Sequence, residues 1–253
     1  MIFLWSPNLI KFLEDLGLLT WESGNYAKGF ECNPFVNWDK AFFDEFNSKI
    51  TTPQGYSFVS STITDPQIVT TNTEFKWDWE KLSCNKALIA DDIFVKTFIQ
   101  KLSLEITLPH ISGSLIEDLL LNYNLLDLLS DNDALWKIVT KKVSVEFIRK
   151  HLTYDWSWTI LTHRFYTTIN INALDNKTWI DKWDWNFLTK NLDWDIVYHN
   201  IDQYREYWDW QYLTLTLDKT FIINHLQEYA LFWDWRYLID SKLNSSDFFY
   251  YHS

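Results

Sequence analysis

The sequence is poor in the residues that make tight turns, and those it has are unevenly placed. The 253 residues include only 5 glycines and 5 prolines, and none of these follows Gly113. Turns in the rest of the chain must be made by Asp, Asn, Ser and Thr, which suit short polar connections between helices. A sheet of tight hairpins normally needs more glycine. The distribution therefore favours an all-α structure.

Cysteine, positive charge and long apolar runs are also scarce. The two cysteines, Cys32 and Cys84, are too few for a disulfide framework, which favours a reducing compartment. A formal charge of −12 argues against general binding to nucleic acid or to anionic membranes. No apolar run reaches the ~18 residues of a membrane span, and the N-terminal residues do not match a signal peptide. We therefore expect a cytoplasmic protein that has neither nucleic acid nor membrane as a partner.

Aromatic residues, in contrast, are abundant, and the 16 tryptophans recur in the pattern W-x-W-x-x-L-[ST]. The first tryptophans of successive copies are Trp77, Trp156, Trp183, Trp208 and Trp233, and the last three are 25 residues apart (208 − 183 and 233 − 208). A fixed period indicates a structural repeat rather than a catalytic motif. The motif residues are Trp77, Asp78, Trp79, Leu82, Trp156, Trp158, Leu161, Trp183, Asp184, Trp185, Leu188, Trp208, Asp209, Trp210, Leu213, Trp233, Asp234, Trp235 and Leu238.

Each copy of the motif predicts the start of a helix, which we call helix A. In the copy at Trp208, the side chain of Asp209 is expected to cap the first turn. Trp208 then precedes the cap and packs on Leu213 as a hydrophobic staple, while Trp210 is the first helical residue and faces the core. The motif tryptophans are thus expected to serve packing. Exposed tryptophans that bind carbohydrate are a weaker alternative.

A second recurring element predicts another helix in each unit, helix B. A residue that favours helix N-termini precedes a large apolar residue by three positions, which is typical of an N-cap. Thr64 and Gln67 also match a capping box. The expected caps and their apolar partners are Ser6/Leu9, Asp39/Phe42, Asp91/Phe94, Ser112/Leu115, Ser144/Phe147, Asp193/Ile196, Asp218/Phe221 and Ser246/Phe249.

These patterns predict an α-solenoid, in which about nine short helix pairs of about 25 residues form a single array over residues 1–253. The best-defined units cover 75–102 and 134–253, and degraded units cover 1–74 and 103–133. Degraded copies of the motif, the stretches 56–60 and 136–140, occupy the phase of helix A. The sequence starts and ends within a unit, which leaves two alternatives: the terminal units are capped in another way, or the chain is part of a longer protein.

The motif W-D-W-x-x-L-[ST] followed by [SD]-x-x-[FI]-[IV] resembles a tandem repeat that occurs in many copies in proteins of giant DNA viruses and in some bacterial proteins. The best match runs from Trp183 to Trp235, and weaker units extend the resemblance over nearly all of the chain. The resemblance implies a repeat architecture and brings no catalytic chemistry with it. If the protein is viral, its location is the host cytoplasm.

The sequence contains none of the common reactive motifs. It has no P-loop, no dinucleotide-binding fingerprint, no nucleophile elbow, and no H-E-x-x-H or C-x-x-C that could bind a metal. His151 and His225 each follow a helix-B phenylalanine by four residues, which places them at helix ends rather than in a metal site. Acid pairs such as Glu117 with Asp118, or Asp131 with Asp133, do not identify a catalytic site. We therefore expect no cofactor, no metal and no enzymatic activity from these residues.

These criteria favour a scaffold that binds another protein. In the best units, the two residues after the second tryptophan of the motif vary: the first is Asn186, Gln211 or Arg236, and the second is always aromatic. The first position is predicted to face solvent and to contact a partner, and the second to pack at a unit boundary. A basic cluster (Lys137, Lys141, Lys142, Arg149 and Lys150) is another possible contact surface. The alternative is a sensing or regulatory arm of a larger enzyme whose catalytic domain lies outside this chain.

Overall fold

The computed structural model describes residues 5–22, 29–166 and 180–243, and this part of the chain is helical and contains no β-strand. Its eighteen α-helices are short, from 3 residues in the last to 10 in the longest. The chain divides into two compact units, Met1–Asp155 and Trp156–Ser253. The all-α class expected from the scarcity of glycine and proline is confirmed.

The first unit contains twelve of the described helices, joined by short polar turns. They are α1 (Pro7–Asp15), α2 (Lys40–Phe46), α3 (Pro53–Thr62), α4 (Pro66–Thr71), α5 (Trp79–Cys84), α6 (Lys86–Ile89), α7 (Asp92–Phe98), α8 (Leu104–Thr107), α9 (Gly113–Asn122), α10 (Leu125–Leu129), α11 (Asp133–Lys142) and α12 (Val145–Lys150). Two single turns of 3-10 helix, Phe30–Cys32 and Asn47–Lys49, complete the unit.

The second unit contains the other six α-helices and the best-matched copies of the motif. They are α13 (Trp158–Phe165), α14 (Trp185–Asn191), α15 (Trp194–His199), α16 (Trp210–Thr216), α17 (Lys219–Asn224) and α18 (Trp235–Tyr237). A 3-10 turn, Ile180–Lys182, precedes α14, and a π-helical turn, Leu238–Lys242, follows α18.

The leucine of the motif is a core residue in every copy. The relative exposure of this side chain does not exceed 2% at Leu82, Leu161, Leu188, Leu213 or Leu238. Full burial of one leucine contributes about 1.5–3 kcal/mol, so this single motif position stabilises each helix A substantially.

The predicted start of helix A is confirmed in all five motif copies. Each second tryptophan, from Trp79 to Trp235, is the first residue of its helix. The side chain of Asp209 accepts a hydrogen bond from the backbone amide of Tyr212 at 3.1 Å, and Asp78, Asp184 and Asp234 cap in the same way. Ser157 occupies the N-cap in the copy that lacks the aspartate.

Helix B begins where the spacing of polar and apolar residues predicts. Seven of the expected caps are N-caps in the structure: Ser6, Asp39, Asp91, Ser112, Ser144, Asp193 and Asp218. Ser246 lies outside the described residues. The capping-box prediction at Thr64 is wrong, because Asp65 is the N-cap and accepts from the amide of Gln67 at 2.9 Å. Pro66 fixes this register, since proline favours the first helical position.

The degraded copies place helix A differently. In the stretches 56–60 and 136–140, the aromatic residue was expected at the start of a helix. Tyr56 and Trp136 instead lie one turn inside α3 and α11, whose N-caps are Thr52 and Asn132. Neither aromatic residue is preceded by a capping aspartate, so a polar residue four positions upstream supplies the cap instead.

The last glycine of the chain allows two helices of the first unit to approach closely. A Cβ atom at Gly113, the first residue of α9, would lie 2.1 Å from the carbonyl oxygen of Lys142 at the end of α11. The ammonium group of Lys142 also donates to the carbonyl oxygen of Ile111 at 2.7 Å. Gly113 is therefore required by a backbone contact rather than by a turn.

Candidate functional site

The last residue of the motif, serine or threonine, links one helix A to the cap of the next. The hydroxyl group of Thr189 donates to the carbonyl oxygen of Trp185 at 2.6 Å and accepts from the backbone amide of Asp209 at 3.0 Å. Thr214 makes the same two bonds to Trp210 and Asp234, at 2.6 and 3.2 Å. We call this arrangement the hydroxyl link.

The hydroxyl link also occurs in three other copies of the motif. Its hydroxyls are Thr162, which accepts from the amide of Asp184, Ser60, which accepts from Asp78, and Ser83, which accepts from Ser103. Each hydroxyl also donates to the carbonyl oxygen four residues upstream, within its own helix. The sequence pattern marked this position but gave no reason for it. The reason is a hydrogen bond between residues 18–22 apart, which a local pattern does not reveal.

In the last four copies of the motif, tryptophans of consecutive copies pack against each other. The ring of Trp185 meets that of Trp208 edge-to-face at 5.1 Å and 90°, and Trp210 meets Trp233 with the same distance and angle. Such pairs contribute about 0.5–1.5 kcal/mol beyond the area they bury. The indole N–H groups of Trp185 and Trp210 donate to carbonyl oxygens five residues upstream. The rings and indole N–H groups of these tryptophans therefore make contacts within the fold.

Burial agrees with this role. No motif tryptophan is exposed: Trp77, Trp156, Trp185, Trp208, Trp210 and Trp233 are buried, and Trp79, Trp158, Trp183 and Trp235 are half-buried. The described residues thus offer no row of exposed motif tryptophans to a sugar.

The residues predicted to face solvent, Asn186, Gln211 and Arg236, are exposed. Asn186, however, forms hydrogen bonds with other residues of the chain. Its amide nitrogen donates to the carboxylate of Asp209 at 2.9 Å, and its amide oxygen accepts from Lys190 at 2.6 Å. Asn186 is therefore exposed and also connects two copies of the motif.

The aromatic residues that follow Asn186 and Gln211 in the sequence pack between consecutive repeats, as predicted. Phe187 contacts the rings of His163 and Tyr166, at centroid distances of 3.9 and 5.2 Å. The ammonium group of Lys190 lies 5.7 Å from the centroid of Tyr212. These half-buried aromatic residues connect one helix A to the helix A before it.

The structure reveals a cleft that the sequence did not indicate. It has a volume of about 520 Å³ and lies in the second unit between α14, α15, α16 and α17. Its walls include Lys190, Trp194, Tyr198, Tyr212, Asp218 and Phe221. We call it the aromatic cleft.

Three aromatic rings form a corner of the aromatic cleft. Trp194 and Phe221 are 5.9 Å apart with planes at 87°, Tyr198 and Phe221 are 5.7 Å apart at 66°, and Trp194 and Tyr198 are 6.0 Å apart at 57°. Trp194 and Tyr198 share a face of α15 because they are four residues apart. Among the described residues Trp194 is the only exposed tryptophan, at 40%, and Tyr198 is 44% exposed.

The lining of the aromatic cleft contains one acid and one base, Asp218 and Lys190. Backbone hydrogen bonds from Phe221 and Thr220 lower the pKa of the Asp218 carboxyl group, so this carboxylate is ionised at neutral pH. The ammonium group of Lys190 lies 3.3 Å from the carboxylate of Asp209. The cation of the lining is thus paired with an acid outside it, and Asp218 interacts in turn with the charge of Lys242, which also lies outside the lining.

The histidines have structural roles. His151 and His225 are the C-caps of α12 and α17, and each Nδ1 donates to a phenylalanine carbonyl oxygen four residues upstream at 2.9 Å. This confirms their predicted position at the ends of helix B. No group of His, Cys, Asp and Glu in the described parts of the chain is arranged to hold a metal ion.

The other candidates from the sequence are distributed over the first unit. Asp118 forms an ion pair with Lys96 at 2.7 Å, which lowers the pKa of the carboxyl group, and Glu117 accepts from the amide of Ser144. In the basic cluster, Lys137 pairs with Asp133 at 2.6 Å. Lys141, Arg149 and Lys150 are exposed on α11 and α12. Of the two cysteines, Cys32 is buried and Cys84 is exposed, and neither is in a disulfide.

Compared with protein-family models, with curated proteins and with solved structures, the chain matches none. Among the described helices, none has both the length and the apolar character needed to cross a bilayer. The site must therefore be interpreted from its own geometry, and its most distinctive feature is the aromatic cleft.

Proposed function

We propose that the chain is a tandem helical-repeat array of the Trp-Asp-Trp type, and that it acts as a non-catalytic scaffold for a protein partner. Recurrence of the hydroxyl link supports the first part. The link joins Thr162 to Asp184, Thr189 to Asp209 and Thr214 to Asp234, so each motif copy is held by the one before it. Stability that depends on nearest neighbours is characteristic of solenoids.

The binding proposal rests on the difference in burial between the motif tryptophans and the aromatic residues of the cleft. Motif tryptophans such as Trp185 and Trp210 are buried, whereas Trp194, outside the motif register, is exposed together with Tyr198. Exposed tryptophan and tyrosine in a cleft are characteristic of the energetic centre of protein interfaces. We therefore place the partner in the aromatic cleft, on the helix-B side, rather than on the row formed by Asn186, Gln211 and Arg236.

Affinity capture from the source cell tests the binding site, using the wild-type chain, Trp194→Ala and the double variant Gln211→Glu with Arg236→Glu. We expect Trp194→Ala to lose the partner and the double variant to retain it. The double variant should keep a melting temperature within a few degrees of the wild type, since exposed substitutions usually cost within about 0.5 kcal/mol. Trp194→Ala also loses ring contacts with Tyr198 and Phe221, so far-UV circular dichroism must show that it is folded. Retention by Trp194→Ala together with loss by the double variant would place the interface on helix A.

Small-angle X-ray scattering tests the array. A compact globule of this length has a radius of gyration of about 18 Å. An array of stacked helix pairs is longer in one direction, so we expect a larger value and an elongated distance distribution. A radius close to that of the globule would rule out the solenoid.

A further inference from the structure

We propose that the corner formed by Trp194, Tyr198 and Phe221 binds the guanidinium group of an arginine on the protein partner, with the carboxylate of Asp218 as its counter-charge. The inference rests on the proposed scaffold function and specifies the chemistry of its binding site. It predicts that the partner presents a basic segment.

The geometry of the rings favours a cation. The faces of aromatic rings are electron-rich, and a cation within about 6 Å of a ring centroid is attracted to it. The three centroids are 5.7–6.0 Å from one another. A guanidinium group that docks on the exposed parts of Trp194 and Tyr198 can therefore lie within this range of more than one ring. Because the planes meet at 57–87°, the rings are inclined to one another and do not form one flat platform.

Carboxylates near the three rings also favour a cation. Asp218 gives the cleft lining a carboxylate, and Asp193 and Asp195 are exposed at the start of α15, beside Trp194. The cation in the lining, Lys190, is paired with Asp209, and Lys242, whose charge also acts on Asp218, donates to the carbonyl oxygen of Leu217. The chain as a whole carries a formal charge of −12, which attracts a basic partner at long range.

Arginine suits this site better than lysine or a sugar. The planar guanidinium group stacks on aromatic faces and can donate two parallel hydrogen bonds to one carboxylate, whereas the ammonium group of lysine is compact and strongly hydrated. A pyranose ring needs an open, flat aromatic face, and the steep angles of Trp194 and Tyr198 to Phe221 do not provide one.

The test uses short fluorescein-labelled Gly/Ser peptides that differ only in their central residues: arginine, lysine, citrulline or glutamate. Citrulline keeps the shape of arginine but has no charge. Fluorescence anisotropy with the full chain should give the tightest binding for arginine, weaker binding for lysine, and none for glutamate. Affinity for the arginine peptide should fall as salt is raised, because the attraction is electrostatic.

Three variants separate the parts of the site. Trp194→Leu keeps apolar area but removes the indole ring, and we expect roughly 2- to 30-fold weaker binding of the arginine peptide, the range of one cation–π contact. Asp218→Asn preserves the helix cap, since asparagine caps as well as aspartate, and should weaken arginine binding more than citrulline binding. Leu231→Ala removes another exposed apolar side chain, 95% exposed and outside the cleft lining, and should have no effect.

Equal binding of citrulline and arginine would overturn the arginine assignment. So would unchanged affinity in Trp194→Leu, or binding of a chitin oligosaccharide with no binding of basic peptides. Far-UV circular dichroism of each variant establishes that it is folded. If Trp194→Ala loses the captured partner while citrulline binds like arginine, only the arginine assignment fails. If that variant keeps the partner, the proposed interface fails as well.

Discussion

The backbone amide of Asp209 donates to the hydroxyl oxygen of Thr189 at 3.0 Å, across 20 residues of chain. Thr189 lies at the end of one copy of the motif and Asp209 is the N-cap of the next. One buried hydroxyl therefore satisfies a carbonyl group of its own helix and orients the cap of the following helix. The position that varies between serine and threonine in the motif is explained by this contact.

Removal of the hydroxyl should destabilise the second unit. Thr214 is fully buried, and Thr214→Val keeps its shape but leaves the amide of Asp234 without this acceptor. We expect a loss of about 1–3 kcal/mol in the free energy of unfolding, the cost of an unsatisfied buried group, measured by denaturant titration. The matched control is Thr216→Val on the same helix, whose hydroxyl is exposed and bonds only within that helix, to Tyr212. Equal losses in both variants would mean that the link does not stabilise the unit.

The cap and the core tryptophan of one motif copy should differ in importance. Asp209→Ala should cost about 0.5–2 kcal/mol of unfolding free energy, the usual range for a lost cap. Trp210→Ala should cost about 3–5 kcal/mol, because the ring is 7% exposed and packs on Tyr229 and Trp233. Thermal or urea unfolding measures both, with the exposed Gln211→Ala on the same helix as control. A harmless Trp210→Ala would contradict its role in the core.

A methyl group at Gly113 should force α9 and α11 apart. The added Cβ would lie 2.1 Å from the backbone carbonyl oxygen of Lys142, which cannot rotate away as a side chain does. We expect Gly113→Ala to lower the free energy of unfolding by about 1–3 kcal/mol, the usual cost of overpacking. The neighbouring change Ser114→Ala is at an exposed position and should stay within about 0.5 kcal/mol of the wild type. If the two substitutions have equal effects, the close approach of the helices is not maintained in solution.

The cap of α17 should make stability depend on pH in the acid range. Backbone hydrogen bonds from Phe221 and Thr220 lower the folded-state pKa of Asp218. A lowered pKa means that the folded state favours the ionised carboxylate, so the contribution is complete above the unfolded pKa of about 3.9 and is lost as the pH falls through the folded value. Asp218→Asn keeps a capping residue without this titration. The stability of the wild type relative to Asp218→Asn should therefore be constant from neutral pH to about 5 and fall below it. Parallel stability curves down to acid pH would contradict this cause.

The local structure of this protein was largely predictable from its sequence. Capping residues such as Asp209 and Ser144 act through hydrogen bonds that reach only two or three residues along the chain, so their spacing from apolar residues locates the start of a helix. The predictions failed where two capping signals competed, at Thr64 and Asp65, and where the cap moved one turn upstream, at Tyr56 and Trp136. At these positions more than one residue could cap the helix, and contacts with the surrounding structure decide which one does.

The contacts between motif copies and the candidate site depended on the tertiary structure. The repeat period marked Thr189 as a fixed position, but only the fold brings its hydroxyl to the amide of Asp209. Trp194 is one of 16 tryptophans, and nothing adjacent to it in the sequence distinguishes an exposed indole from a buried one. Trp194 and Tyr198 come together through helical periodicity, whereas Phe221 joins them from a separate helix. A pattern in sequence fixes which face of a helix a side chain occupies, and only the packing of the helices decides whether that face is covered.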